Sequence, residues 1–307
     1  MWRHALLRLA TALPTLLVLV TLTFFLMRLA PGGPFDRERQ LPPQIEAALA
    51  AEYHLDESLP RQYVRYLGGL VQGDLGPSFQ YEGFRVSELI AKGLPVSLAI
   101  GALAMLLALL LGVAAGITAA LRHRRWPDYG VMSAALLGVS VPSYVVAPLL
   151  VLVFAIGLRW LPAGGWVDGR WSDLVLPVIA LALPQVSAIA RLLRGSLLEV
   201  LQQPYIRTAR AKGLHPATVV LRHALKSALL PLVSYLGPAT AGILTGSVVV
   251  EQVFDLPGIG RYFVQGALNR DYTLVLGVVA VYGAMIILFN FLVDLAYGLL
   301  DPRIRKP

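Results

Sequence analysis

Apolar stretches of about twenty residues recur six times along the chain, near 9–29, 95–121, 129–157, 174–194, 231–253 and 273–300. At about 1.5 Å per residue, each is long enough to cross a hydrocarbon core roughly 30 Å thick as one helix. The first run, Leu9 to Met27, exceeds the roughly 7–15 residues of a signal-peptide core, and no small-residue cleavage site follows it. An uncleaved first span is expected. Between the first and second runs lies a long polar connection, 31–94, with a different rhythm. Ile45, Leu49 and Tyr53 recur every four residues, as do Tyr63, Leu67 and Val71, which is helical spacing. Ser58 stands where a helix N-cap would, with Pro60 in the first turn. The pattern predicts a folded helical subdomain there.

Composition fits this picture. Hydrophobic residues fill 57% of the 307 positions and charged residues only 14%, and the mean hydropathy is +0.67. A soluble domain of this size needs more surface charge, so an integral membrane protein is expected. The net charge of +8 invites a nucleic-acid reading, but the basic residues cluster beside the apolar spans, where they report topology. Arg3, Arg8, Arg122, Arg124, Arg125, Arg191, Arg194, Arg207, Arg210, Lys212, Arg222, Lys226, Arg303, Arg305 and Lys306 fall on one side. The short loops opposite, 158–173 and 254–272, hold only Arg159, Arg170, Arg261 and Arg270. The positive-inside rule puts both termini in the cytoplasm and the 31–94 connection outside. The expected fold is an all-α integral membrane protein with six transmembrane helices. Its expected domains are 1–30, an extracytoplasmic helical loop 31–94, and a core 95–307 with a cytoplasmic loop 195–230.

Much enzyme chemistry is missing. With no cysteine there is no disulfide, thiolate ligand or thiol nucleophile. None of Lys92, Lys212, Lys226 and Lys306 follows the glycines of a phosphate-binding G-x-x-x-x-G-K-[ST] loop, and neither H-E-x-x-H nor G-x-S-x-G occurs. Ion coupling needs ionisable groups within the spans, where a carboxylate costs about 2.5–3.5 kcal/mol at the bilayer centre. Asp294 is the one clear candidate. It reads first as a structural partner for Arg191 or Arg194, and second as the ion site of a secondary transporter. Glu251 and Arg28 sit near outer span ends, from which they can reach water. Neutral polar groups in the spans, among them Ser140, Ser143, Tyr144, Gln185, Ser234, Tyr235 and Asn290, are candidates for lining a solute path. Each also suits an interhelical hydrogen bond.

One stretch departs from the membrane pattern. "YIRTARAKGLHPATVVLRHALKSALLP", Tyr205 to Pro231, carries Arg207, Arg210, Lys212, Arg222 and Lys226 and no acid. Residues from Leu197 to Lys212 favour a helix, with Pro204 opening a fresh turn. Gly213 fits a left-handed cap, and Pro216 the first turn of a second helix that runs into the fifth span. Ala209 and Gly213 are small enough for another surface to approach, Tyr205 and Ile206 offer apolar anchors, and the basic residues supply charge. Two readings fit: a basic segment lying on anionic lipid, or a docking knob for a soluble cytoplasmic partner.

The stretch resembles the coupling motif of ABC-transporter permeases, EAA-x3-G-x9-I-x-L-P. Aligned on Gly213, Arg207, Thr208 and Ala209 stand for E-A-A, and His223, Ala224, Leu225 and Lys226 for I-x-L-P. Arg207 therefore replaces the Glu of the general pattern. "RTARAKGL…RHALK" is similar to the version in peptide-type permeases, the subfamily for dipeptides, oligopeptides and nickel. Further resemblances are "FFLMRLAPGGP" at the end of the first span, "GDLGPSF" in the outer loop and "VPSYVVAPLL" in the third span. "GSVVVEQVFDLPGIGR" after the fifth span and "VDLAYGLLDPRIR" at the C-terminal end complete the set. The resemblance implies a non-catalytic, multi-pass subunit of the bacterial inner membrane that imports peptides. ATP and Mg would bind two separate cytoplasmic P-loop ATPase subunits, docking at Tyr205, Ile206, Arg207, Ala209, Arg210, Lys212, Gly213 and Leu225. It also implies a second, related permease and an extracytoplasmic solute-binding protein. Pro257, Gly258, Ile259 and Gly260 read as a tight turn that either touches that protein or simply connects two helices. The rivals are an ion-coupled transporter using Asp294 and a membrane subunit that moves no solute.

Overall fold

A computed structural model of the chain describes residues 2–29, 33, 42–166 and 169–300. Among them every regular element is a helix, with one isolated bridge between Pro77 and Arg85. Five helices are long and apolar enough to span a membrane. These are Ala10–Leu29 within α1 (Trp2–Leu29), α4 (Val86–Leu121), α7 (Ser172–Leu201), α11 (Leu230–Val253), and Tyr272–Leu295 within α13 (Tyr272–Leu300).

The third expected span is not one rod. It divides into α5 (Trp126–Ser140) and a helix starting at Ser143, bent by 102°. Pro142 explains the break: it has no N–H to donate, and its ring pushes Val141 out of the helical region to φ −93, ψ 116. The second half runs as α6 (Ser143–Leu150) and then widens into a π-helical turn, Val151–Gly157, just after Pro148. Counted as one broken span, the pair makes six.

The chain forms two compact units. One comprises Met1–Arg8, Ser97–Leu256 and Ile286–Pro307. Here α7 lies against α4, and a Cβ on Gly112 would stand 2.8 Å from the Ile189 side chain. Small residues let the two backbones approach, as membrane helices require when no hydrophobic drive separates lipid from protein contacts. Asp128, 2% exposed in the first turn of α5, accepts from Arg194 Nε at 2.5 Å and Nη2 at 2.9 Å. It also accepts from the Arg124 amide at 2.9 Å. That pair ties α5 to α7. Arg194 is thus engaged by Asp128 rather than by Asp294, because Asp128 meets two of its three guanidinium nitrogens in bidentate geometry.

The other unit comprises Leu9–Val96 and Pro257–Met285. It includes the expected extracytoplasmic helices, α2 (Pro43–Glu52) and α3 (Leu59–Val71). Ser58 is the N-cap of α3, although its carbonyl rather than its hydroxyl meets the first-turn amides of Arg61 and Gln62. The outer loop containing "GDLGPSF" folds around Asp271, the residue just before α13. Asp271 is fully buried and accepts from the Ser78 hydroxyl and, at 3.1 Å each, from the Phe79 and Gln80 amides. Its other oxygen caps α13 through the Leu274 amide at 3.1 Å and the Thr273 hydroxyl at 3.0 Å. The Thr273 hydroxyl has one proton, which it shares between that oxygen and the Pro77 carbonyl, and Asp74 pairs with Arg85 at 2.8 Å.

Candidate functional site: the basic loop between the fourth and fifth spans

The chain leaves α7 after Leu201 and starts α8 (Pro204–Ala211) with Pro204 at its first position. Pro suits that position, since its missing N–H would have had no intrahelical partner. The helix closes in a Schellman cap: the Gly213 amide donates to Arg210 O at 2.9 Å, and Leu214 donates to Ala209 O at 3.4 Å. Gly213 sits at φ +77, a conformation that disfavours any side chain. His215 then caps the next turn, its Nδ1 accepting from the Ala217 amide at 3.3 Å. The return to the membrane runs through α9 (Pro216–Thr218), a π-helical turn Val219–Ala224 and α10 (Leu225–Ala228). α11 begins two residues later.

The two sides of α8 differ. Ile206 is 0% exposed and Ala209 is 6% exposed; they pack with Ala120, Leu193, Leu197, Val219, Ala224 and Ala228. Both were expected on the docking surface, and the structure turns both inward. The reason is spacing: residues three apart share one helix face, and these two are the apolar pair that can face the ends of α4 and α7. Leu225, also expected at the contact, is half-buried against this same cluster. Tyr205 is 44% exposed, and Arg207, Arg210, Lys212 and Gly213 are exposed. None of the three cations makes an ion pair among the described residues. Arg210, in the last turn, also lies where the helix dipole favours positive charge.

The remaining candidates scatter. Gln185 and Tyr235 meet, the Tyr235 hydroxyl donating to Gln185 Oε1 at 2.8 Å and linking α7 to α11. Asn290 donates back to its own helix at Ile286 O, and Ser234 bonds Leu230 O. Ser140 and Tyr144 are exposed and Ser143 half-buried, around the Pro142 bend. The outer turn is mostly closed: Gly258, Ile259 and Gly260 are buried and only Pro257 is exposed. Gly258 instead starts α12 (Ile259–Leu268), and the Gly258–Ile259 peptide lies 3.0 Å from where a Cβ on Gly93 would stand. Glu251, expected to reach water, is buried, at the end of α11 where the chain turns back and the Leu256 amide donates to the Glu251 backbone carbonyl. Asp294 is half-buried.

Sequence reasoning missed Asp128 and Asp271 as organising groups. Asp271 carried a signal, an Asp directly before an apolar run, which is an N-cap position. Asp128 carried none, because its partner lies 66 residues away.

Residues 112–306 match the family described as binding-protein-dependent transport system inner membrane component. The chain belongs to that family. The permease is 53% identical over 305 residues to the oligopeptide transport system permease protein OppB of Escherichia coli K12, covering 99% of this chain and 100% of that one. It is 54% identical to OppB of Salmonella typhimurium over 306 residues, with the same coverage. Identity to the dipeptide transport system permease protein DppB of Bacillus subtilis is 45%, over 95% of this chain and 94% of that one. A chain of the inward-facing MetNI methionine ABC transporter shares the fold. It has a TM-score of 0.58 at 17% identity and covers 70% of this chain and 97% of that one. The permease is thus a multi-pass inner-membrane subunit of a binding-protein-dependent ABC importer, which sets aside the ion-coupled reading of Asp294.

Proposed function

We propose that the permease forms half of the path through which short peptides enter the cell, and that α8 couples this path to ATP hydrolysis on separate cytoplasmic subunits. The observation that carries the coupling role is the contrast across α8. Its inner side is fixed by Ile206 and Ala209 to the ends of α4 and α7 and to the lead-in of α11. Its outer side presents Tyr205, Arg207, Arg210 and Lys212 with no internal partner for the charge. A knob so anchored passes displacement to the spans instead of absorbing it, which suits rigid-body switching. Its positive charge fits an acidic cleft on the ATPase, where complementary charge speeds and orients docking. The peptide substrate follows from the oligopeptide and dipeptide permeases that the chain resembles along nearly its whole length. A second, related permease would complete the path, and a solute-binding protein would deliver the peptide outside.

The test is uptake of labelled di-, tri- and pentapeptides by cells lacking the chain and restored with the native or Gly213→Trp form. Native rescue, lost with the variant although membrane levels are equal, supports both parts. No rescue of any peptide contradicts the substrate reading. Full rescue by the variant contradicts the coupling reading.

A further inference from the structure

A second basic cluster stands on the membrane face that carries α8. Ala120, near the end of α4, packs into the apolar cluster that anchors α8, so the turn that follows opens on the same face. α4 ends at Leu121 and α5 begins at Trp126, and only residues 122–125 lie between them. Four residues that go out and back reach about 7 Å at most. That is about the depth of the lipid headgroup layer.

The turn is held from within. The Arg125 amide donates to Arg122 O at 3.0 Å, and the Arg124 amide to Asp128 Oδ2 at 2.9 Å, with Arg124 in the left-handed region at φ +60. His123 Nδ1 lies 3.1 Å from the same oxygen. Asp128 is buried and its carboxylate is already taken up by Arg194, so it does not neutralise the side chains of the turn. Arg122, Arg124 and Arg125 are all exposed, and their guanidinium groups make no ion pair or hydrogen bond among the described residues.

What flanks these charges says what they meet. Trp126 is 80% exposed, Tyr129 is exposed three residues on along the same side of α5, and Leu121 is exposed at the other flank. Trp and Tyr at the end of a span settle at headgroup depth, with the ring in the apolar boundary and the polar edge wet. An acidic protein cleft would match the arginines but not this apolar rim. A phospholipid matches both, since guanidinium groups hold phosphate oxygens in pairs and the acyl chains lie beside Leu121. We propose that the turn 122–125 seats an anionic phospholipid of the leaflet on the α8 side. Its phosphate accepts from Arg122, Arg124 and Arg125, while Trp126 and Tyr129 lie beside the headgroup. The site is independent of which solute the permease carries.

The test titrates the full chain in mild detergent with phosphatidylglycerol or phosphatidylcholine and counts bound lipid by native mass spectrometry. The native chain should take its first phosphatidylglycerol about 100-fold more tightly than its first phosphatidylcholine, roughly fivefold for each arginine. Arg122→Gln, Arg124→Gln and Arg125→Gln together should abolish the preference. Their melting temperature without lipid should match the native value, because backbone bonds and Asp128 hold the turn. The same neutralisation on α8, Arg207→Gln, Arg210→Gln and Lys212→Gln, should leave the preference intact. Equal affinity of the native chain for the two lipids overturns the proposal, as does a preference that survives the first triple substitution or vanishes with the second. Displacement of the bound phosphatidylglycerol by millimolar inorganic phosphate also overturns it, since the turn would then take a free anion. Loss of co-purifying ATPase subunits from the first triple variant, with its lipid preference intact, would assign the turn to the ATPase instead.

Discussion

The outer loop on Asp271 and the inner loop around α8 solve opposite problems. The outer loop closes on itself. One buried carboxylate collects two backbone amides, two hydroxyls and the first-turn amide of α13, and the nearby Asp74–Arg85 pair neutralises its own charge. The inner loop is closed on one side only. Its apolar residues are buried, whereas Arg207, Arg210 and Lys212 stay exposed and without an ion pair among the described residues. A loop that satisfies its own groups is scaffold. A rigid loop that leaves like charges side by side is built to meet something else.

Mutations sharpen this contrast in a definite order. Asp271→Ala strands several buried donors at once and should cost about 3–5 kcal/mol, read as a large drop in the melting temperature of the detergent-solubilised chain. Ile206→Ala leaves a cavity where α8 meets α4 and α7 and should cost about 2–4 kcal/mol. It should also uncouple peptide uptake from ATP hydrolysis, because the knob then moves without the spans. Gly213→Ala meets open space, with nothing within 4 Å of the new Cβ, so only the left-handed backbone resists it. A loss of about 1 kcal/mol is expected, with uptake slowed rather than abolished. Equal melting temperatures for the Asp271 and Gly213 variants would remove the distinction between a closed loop and an open one.

Sequence patterning revealed the spans because hydropathy over twenty residues is a strong, local signal. It did not show that the third is broken, since a hydropathy window is blind to Pro142 although proline is the physical cause of the bend. The Gly213 cap and Pro216 start were legible because turn chemistry is local. The inward turn of Ile206 and Ala209 was encoded in their three-residue spacing, but which face is buried depends on α4 and α7, brought there from elsewhere in the chain. The bidentate Asp128–Arg194 pair comes together only through tertiary packing.

The central claim is that the exposed side of α8, and not its buried side, recognises the ATPase. Its most direct test is the chain carrying Arg207→Glu, Arg210→Glu and Lys212→Glu together, purified in mild detergent beside the native chain. Exposed substitutions of this kind usually change stability by less than about 0.5 kcal/mol, so the melting temperature should not move. The account predicts that ATPase subunits co-purify with the native chain and are lost from the charge-reversed one. Undiminished co-purification by the charge-reversed chain, at equal stability, would contradict it.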